Sequence, residues 1–169
     1  MQKDATLERN HLQERALSWL TETIQRNQLP YQIVGGLAAI AHGGKRPLHD
    51  IDLYLPFDEA ALAFFQEIEP YVTWGPEAVI EGQWDLTYLK LNYQGQKVEI
   101  GDSRNVKIKD ANSGAWVEKR IDFGTSVSRD ILGNRVSVMP VAQLIAYKSI
   151  LAREVDLQDI AELKALYVR

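Results

Sequence analysis

Asp50 and Asp52 stand two residues apart in the run Leu48-His49-Asp50-Ile51-Asp52-Leu53-Tyr54-Leu55. In an extended strand, residues i and i+2 share a face, so both carboxylates project together while Ile51 and Leu53 turn the other way. Two anions side by side in an apolar segment raise one another's pKa and are costly to desolvate. A divalent cation resolves that conflict. Magnesium takes hard oxygen ligands, usually from one or two carboxylates, and completes its shell with water and phosphate. The pattern therefore points to metal-dependent chemistry on a phosphate group. Asp-x-Asp also occurs in turns and at helix caps, but the apolar flanks here describe a strand entering a core, where unpaired acids need a reason.

Two-metal phosphoryl transfer is served by a third acid, either as a ligand to the second ion or as the base for an attacking hydroxyl. In Lys97-Val98-Glu99-Ile100-Gly101-Asp102 the alternation puts Glu99 on the face opposite Val98 and Ile100, which makes it the first candidate. Asp102, past a glycine, is the reserve, and Asp85 beside Trp84 is a weaker third choice. Upstream, Gly35-Gly36 separates Tyr31-Gln32-Ile33-Val34 from Leu37-Ala38-Ala39-Ile40-Ala41. A glycine turn opening onto a helix lets backbone N–H groups approach a phosphate closely. In the loop Gly43-Gly44-Lys45-Arg46-Pro47, Arg46 is a candidate for bidentate phosphate contact, with Lys45 assisting; the alternative is an ordinary solvated charge. His42 and His49 are read as structural or exposed histidines rather than ligands.

The elements that must position these residues follow from periodicity. Leu7, Leu12, Ala16, Leu17, Leu20 and Ile24 recur at helical spacing and predict an amphipathic helix from about residue 6 to 27, stopped by Asn27 and Leu29-Pro30. A short buried strand, the glycine turn and a small-residue helix come next, then the Asp50 strand, which Pro56 stops, and a helix from about residue 58 to 69. Residues 72 to 108 alternate as several strands, with 84–92 and 96–100 forming a hairpin about Tyr93-Gln94-Gly95. Residues 110 to 133 show glycines, polar residues and weak strand character near 120–123, and no chemistry is assigned there. Residues 135–139 read as a strand, and Pro140 opens a helix carrying Leu144, Ile145, Tyr147, Lys148 and Leu151. A second helix follows, with Asp156 and Asp159 resembling a helix-start pairing. The expected class is α+β: a small mixed sheet with flanking helices, residues 1–139 as a core with its N-terminal helix, and 140–169 as a C-terminal helix pair packed on it, one domain overall.

The 169 residues suffice for one real core, and 46% hydrophobic with 25% charged residues is ordinary for a folded chain. No cysteine is present, so thiolate metal sites and cysteine nucleophiles are excluded, a composition compatible with a cytoplasmic location. No apolar stretch reads as a signal peptide or membrane span. With 23 acidic against 19 basic residues the net charge is -4, which disfavours a long nucleic-acid partner. Trp74, Trp84, Tyr88, Tyr93 and Trp116 are candidates to line a pocket for a sugar or planar group, with core packing as the default.

The order of strand, Gly35-Gly36, helix, Asp50-Ile51-Asp52 and later strand-borne Glu99 resembles the nucleotidyltransferase superfamily with the polymerase-beta-like catalytic core. Residues 29 to 56 look most like the small antibiotic nucleotidyltransferases that act on aminoglycosides and lincosamides, and minimal nucleotidyltransferases and toxin–antitoxin relatives are close to the same pattern. Two positions depart from it: Gly36 stands where relatives often have serine, and Leu48 where many have threonine. The resemblance implies a magnesium-dependent enzyme that moves a nucleoside monophosphate, AMP from ATP, to a hydroxyl of a small acceptor with release of pyrophosphate. It implies Asp50, Asp52 and Glu99 as metal-holding and catalytic residues, and Gly35, Gly36, Arg46 and Lys148 as contacts to the nucleotide. The C-terminal Lys148, Arg153, Asp156 and Asp159 are similar to a lysine–arginine–aspartate arrangement of such enzymes. Of these, Lys148 is expected to steady the triphosphate, whereas Arg153, Asp156 and Asp159 are read as solvated helix charges and caps. A partner protein as the acceptor and a non-catalytic nucleotide-binding module are the alternatives.

Overall fold

A computed structural model describes the backbone of residues 2–167 and the side chains of residues 5–167. The first element, α1 (Gln2–Arg26), buries Gln13, Ala16, Leu17, Leu20 and Ile24, a stripe at three- and four-residue spacing. The helix lies against the central sheet and against α3 (Leu62–Ile68). It ends in a Schellman turn: Gln28 takes a φ of 56°, its N–H donates to the Gln25 carbonyl, and the Leu29 N–H donates to the Ile24 carbonyl. The predicted stop is therefore present, with Gln28 rather than Asn27 in the left-handed position.

The sheet is mixed. Its nine strands are β1 (Gln32–Val34), β2 (Ile51–Leu55), β3 (Val72–Glu81), β4 (Trp84–Tyr93), β5 (Gln96–Asp102), β6 (Val106–Lys109), β7 (Trp116–Lys119), β8 (Val127–Ile131) and β9 (Asn134–Val138). The order is β7-β6-β4-β5-β2-β1-β9-β8, with β3 also paired to β4. At the centre β2 runs parallel to β5 and antiparallel to β1, and β1 runs parallel to β9. Ile33, Ile51, Leu53, Leu55, Val98 and Ile100 are all buried in the core. The expected hairpin is formed by β4 and β5. Its two central residues, Gln94 and Gly95, both have positive φ, as the tight turn matching strand twist requires.

Three stretches differ from expectation. The glycine pair does not precede the small-residue helix but opens it, since α2 runs Gly35–Ala41 with Gly35 at φ 64°. The helix expected near 58–69 breaks into α3 between two 3-10 turns, the first capped by Asp58 accepting from the Ala60 N–H. In the region from 110 to 133 the strands are β7 and β8, on either side of the segment near 120–123. β7 is half exposed, with no fully buried position, and so lacks the apolar alternation that announces a strand. The chain closes with α4 (Val141–Leu151) and α5 (Glu154–Tyr167), joined at Ala152 in the left-handed conformation. α4 packs on α2 and β6, and α5 on α4 and α2. No helix among the described residues is long and apolar enough to cross a membrane.

Candidate active site

Strand register sets the site. Asp52 of β2 is directly paired with Glu99 of β5, and one row further on Tyr54 is paired with Gly101. β4 continues both rows, with Lys90 beside Glu99 and Tyr88 beside Gly101. β3 adds Val79 opposite Leu86 and Glu81 opposite Trp84. These side chains form one face of the sheet, and a cavity of about 250 Å³ lies over it, lined there by Asp52, Glu99, Tyr54, Tyr88, Leu86 and Trp84. Gly35 of α2, Tyr147 and Lys148 of α4, and Arg153 between the two C-terminal helices complete its walls.

The acids crowd one another. Burial first, then Glu99 and Asp50, push the Asp52 carboxyl up to about 8. Glu99 is raised by burial and then by Asp50. Asp50 lies one residue before β2 yet acts on both. Among the described residues no three His, Cys, Asp or Glu side chains are already gathered as a metal cage. Magnesium does not require one, because one or two carboxylates plus phosphate and water suffice. Hard oxygen donors that repel one another beside a cavity fit such an ion. Asp102 falls on the other face. It is buried and accepts from the Phe57 N–H and from Arg104, so it anchors a loop. Asp85 pairs with Lys107 and Ile80, away from the cavity lining.

The two glycines do different things. A side chain at Gly35 would put its Cβ 2.6 Å from Asp52 Oδ2, whereas one at Gly36 would meet the Arg46 guanidinium at 3.0 Å. Gly35 lines the cavity and Gly36 does not. Arg46 turns from the cavity to make a two-pronged ion pair with Asp159, both bonds 2.9 Å.

The reading of Asp156 and Asp159 as solvated charges is corrected by their burial: both are at most 1% exposed. Lys148, buried as well, places Nζ 2.9 Å from Asp159 and 3.4 Å from Asp156. Asp156 also accepts from the Arg153 N–H and from its guanidinium, so the cap at the start of α5 joins Arg153 to Asp156 rather than Asp156 to Asp159. Burial alone would raise Asp159, but its hydrogen bonds from Arg46 and Lys148 hold it below the usual carboxylate range. Three cations share two carboxylates. Lys148 and the more exposed Arg153 also line the cavity, where both act on the Asp52 carboxyl.

His42 is buried, its Nε2–H donates to the Met139 carbonyl at 2.8 Å, and burial lowers its pKa; His49 is exposed. Of the aromatic candidates, Trp84 and Tyr88 line the cavity, and Trp74 packs on Tyr88 from outside the lining. Tyr93 stacks on Trp19 at 4.2 Å, and Trp116 is exposed beside Lys109. The residues that sequence reasoning passed over are Tyr54 and Tyr147, and Arg153, read there as a solvated helix charge, also lines the cavity. Tyr54 was signalled by the same two-residue period that joins Asp50 to Asp52.

This fold, with a β2–β5 parallel pair beside the helix that carries the glycines, is shared with solved structures of nucleotidyltransferases. A candidate nucleotidyltransferase from Thermotoga maritima matches it with a TM-score of 0.67 at 18% identity, over 92% of this chain and 92% of its own. The lincosamide antibiotic adenylyltransferase LnuA, with lincomycin bound, matches with a TM-score of 0.59 at 13% identity over 90% of this chain and 96% of its own. The antibiotic-resistance factor ANT(2'')-Ia matches with 0.63 at 15% identity over 93% and 85%. No protein-family model and no curated protein matches the sequence. At these identities the likeness is one of fold.

Proposed function

We propose that this protein is a magnesium-dependent nucleotidyltransferase that moves AMP from ATP to a hydroxyl of a small-molecule acceptor. The observation that carries the reading is the pairing of Asp52 with Glu99 across β2 and β5, an acid row on one side of a cavity whose other side is cationic. The fold shared with antibiotic adenylyltransferases supports it. Asp50, Asp52 and Glu99 would hold the metal. Bound there, magnesium would screen the phosphates and lower the pKa of the acceptor hydroxyl.

The chain's own groups do the rest. Lys148 and Arg153 face the acids and suit the triphosphate, while Gly35, without a side chain, lets the backbone come close to it. Glu99, beside Asp52 on the cavity wall, takes the proton of the acceptor hydroxyl. The acceptor oxygen bonds to the α-phosphorus as the bridge to the β-phosphate breaks, and pyrophosphate leaves with the displaced bridging oxygen.

The test is incubation with magnesium, each nucleoside triphosphate and an acceptor panel that includes lincomycin and tobramycin, read by intact mass. A gain of one nucleotide monophosphate on an acceptor is expected. Modification of a co-purified protein instead would move the reading to a protein acceptor.

A further inference from the structure

At the floor of the cavity the Tyr54 and Tyr147 hydroxyls lie 3.1 Å apart, each residue at most 4% exposed. Two hydroxyls carry two protons, and the bond between them uses one. The only hydrogen bond of either hydroxyl to the described residues is this mutual one. Buried donors are almost always satisfied, and both rings line the cavity.

The pair is built in. Tyr54 lies across Gly101, where a Cβ would come within 2.6 Å of its ring. Tyr147 is flanked by Trp84, with centroids 6.1 Å apart, and by the Lys119 ammonium 5.6 Å from its ring centre. Both rings are thus held in place beside the cavity that their residues line.

We propose that Tyr54 and Tyr147 act as one ligand-directed hydrogen-bond donor, giving the second proton to an oxygen of the bound molecule one side-chain row beyond Asp52. This assignment rests on the nucleotidyl-transfer reading. The oxygen belongs either to the nucleotide or to the acceptor, both rich in phosphoryl or hydroxyl oxygens, and the pair positions that molecule against the acid row.

The test is the double variant Tyr54→Phe/Tyr147→Phe, with each single variant beside it. Replacing both partners of a buried hydrogen bond by apolar groups of the same shape is nearly neutral for folding, so an unchanged melting temperature is expected. Binding is measured by calorimetry in two arms: a non-hydrolysable α,β-methylene ATP with magnesium, and lincomycin and tobramycin separately. A three- to tenfold weakening in the double variant, about the loss of one neutral hydrogen bond, is expected in one arm, and that arm names the source of the oxygen. Binding equal to wild type in every arm that wild type binds would overturn the assignment and leave the transfer reading intact. A wild-type protein that binds none of these molecules would overturn both.

Discussion

Burial, Glu99 and Asp50 together push the Asp52 carboxyl up to about 8, so the metal-free protein takes up a proton there on folding through the neutral range. An unfolded aspartate titrates near ~3.9. Between that value and about 8 the folded state keeps a proton that the unfolded state has lost, and stability falls as pH rises across the window. Asp52→Asn removes the buried anion. It should raise the melting temperature of the metal-free protein by a margin that is small at pH 5 and largest above pH 8, of order 1–3 kcal/mol, since the carboxylate opens partly to the cavity. Thermal melts at pH 5, 7 and 9 check this, and an unchanged or lower melting point at pH 9 would contradict it. Gly35 is tied to the same carboxylate. An alanine there must adopt a φ of 64° and place its Cβ 2.6 Å from Asp52 Oδ2, so Gly35→Ala should cost at least ~1–2 kcal/mol in denaturant unfolding and weaken magnesium binding in the same preparation.

The C-terminal helices are joined to the site by buried charge. Asp156 holds Lys148 from α4 and Arg153 just before α5 at once, and removing it leaves the Lys148 ammonium buried with Asp159 as its remaining ion-pair partner. Asp156→Ala should therefore destabilise by about 3 kcal/mol, the scale for breaking a buried pair, as a lower urea midpoint with unchanged m-value shows. This is also where sequence reading reached its limit. The α+β class, the β4–β5 hairpin and the strand-borne pair Asp52 and Glu99 were legible, because period-two alternation and a positive-φ turn are local. The burial of Asp156 and Asp159 was not, because their partners Lys148 and Arg46 are 8 and 113 residues away, and a charged helix residue looks the same in sequence whether it faces water or a cation. Nor were β7 and β8, which have no fully buried position and alternate half-buried with exposed residues of mixed polarity.

At the scale of the whole molecule, the sheet brings an acid row and a cationic wall to opposite sides of one cavity in a chain whose net charge is -4. On the proposed reading, attraction for a triphosphate comes from Lys148 and Arg153 locally, and the acids have to be screened before phosphates can enter. Magnesium and ATP together, at about 100 times the dissociation constant, should stabilise the fold by about 2.7 kcal/mol, a rise of roughly 5–10 °C in melting temperature for a chain of this size. ATP with a chelator should give a much smaller shift. The most direct test of the central claim is pyrophosphate release from ATP with magnesium and the acceptor panel, comparing wild type with Asp52→Asn and Glu99→Gln. Release by wild type, reduced ~10²–10³-fold or more in both variants while each remains folded, is the expected result. Release unchanged in Asp52→Asn, or none from wild type with any nucleotide and acceptor, would contradict the account.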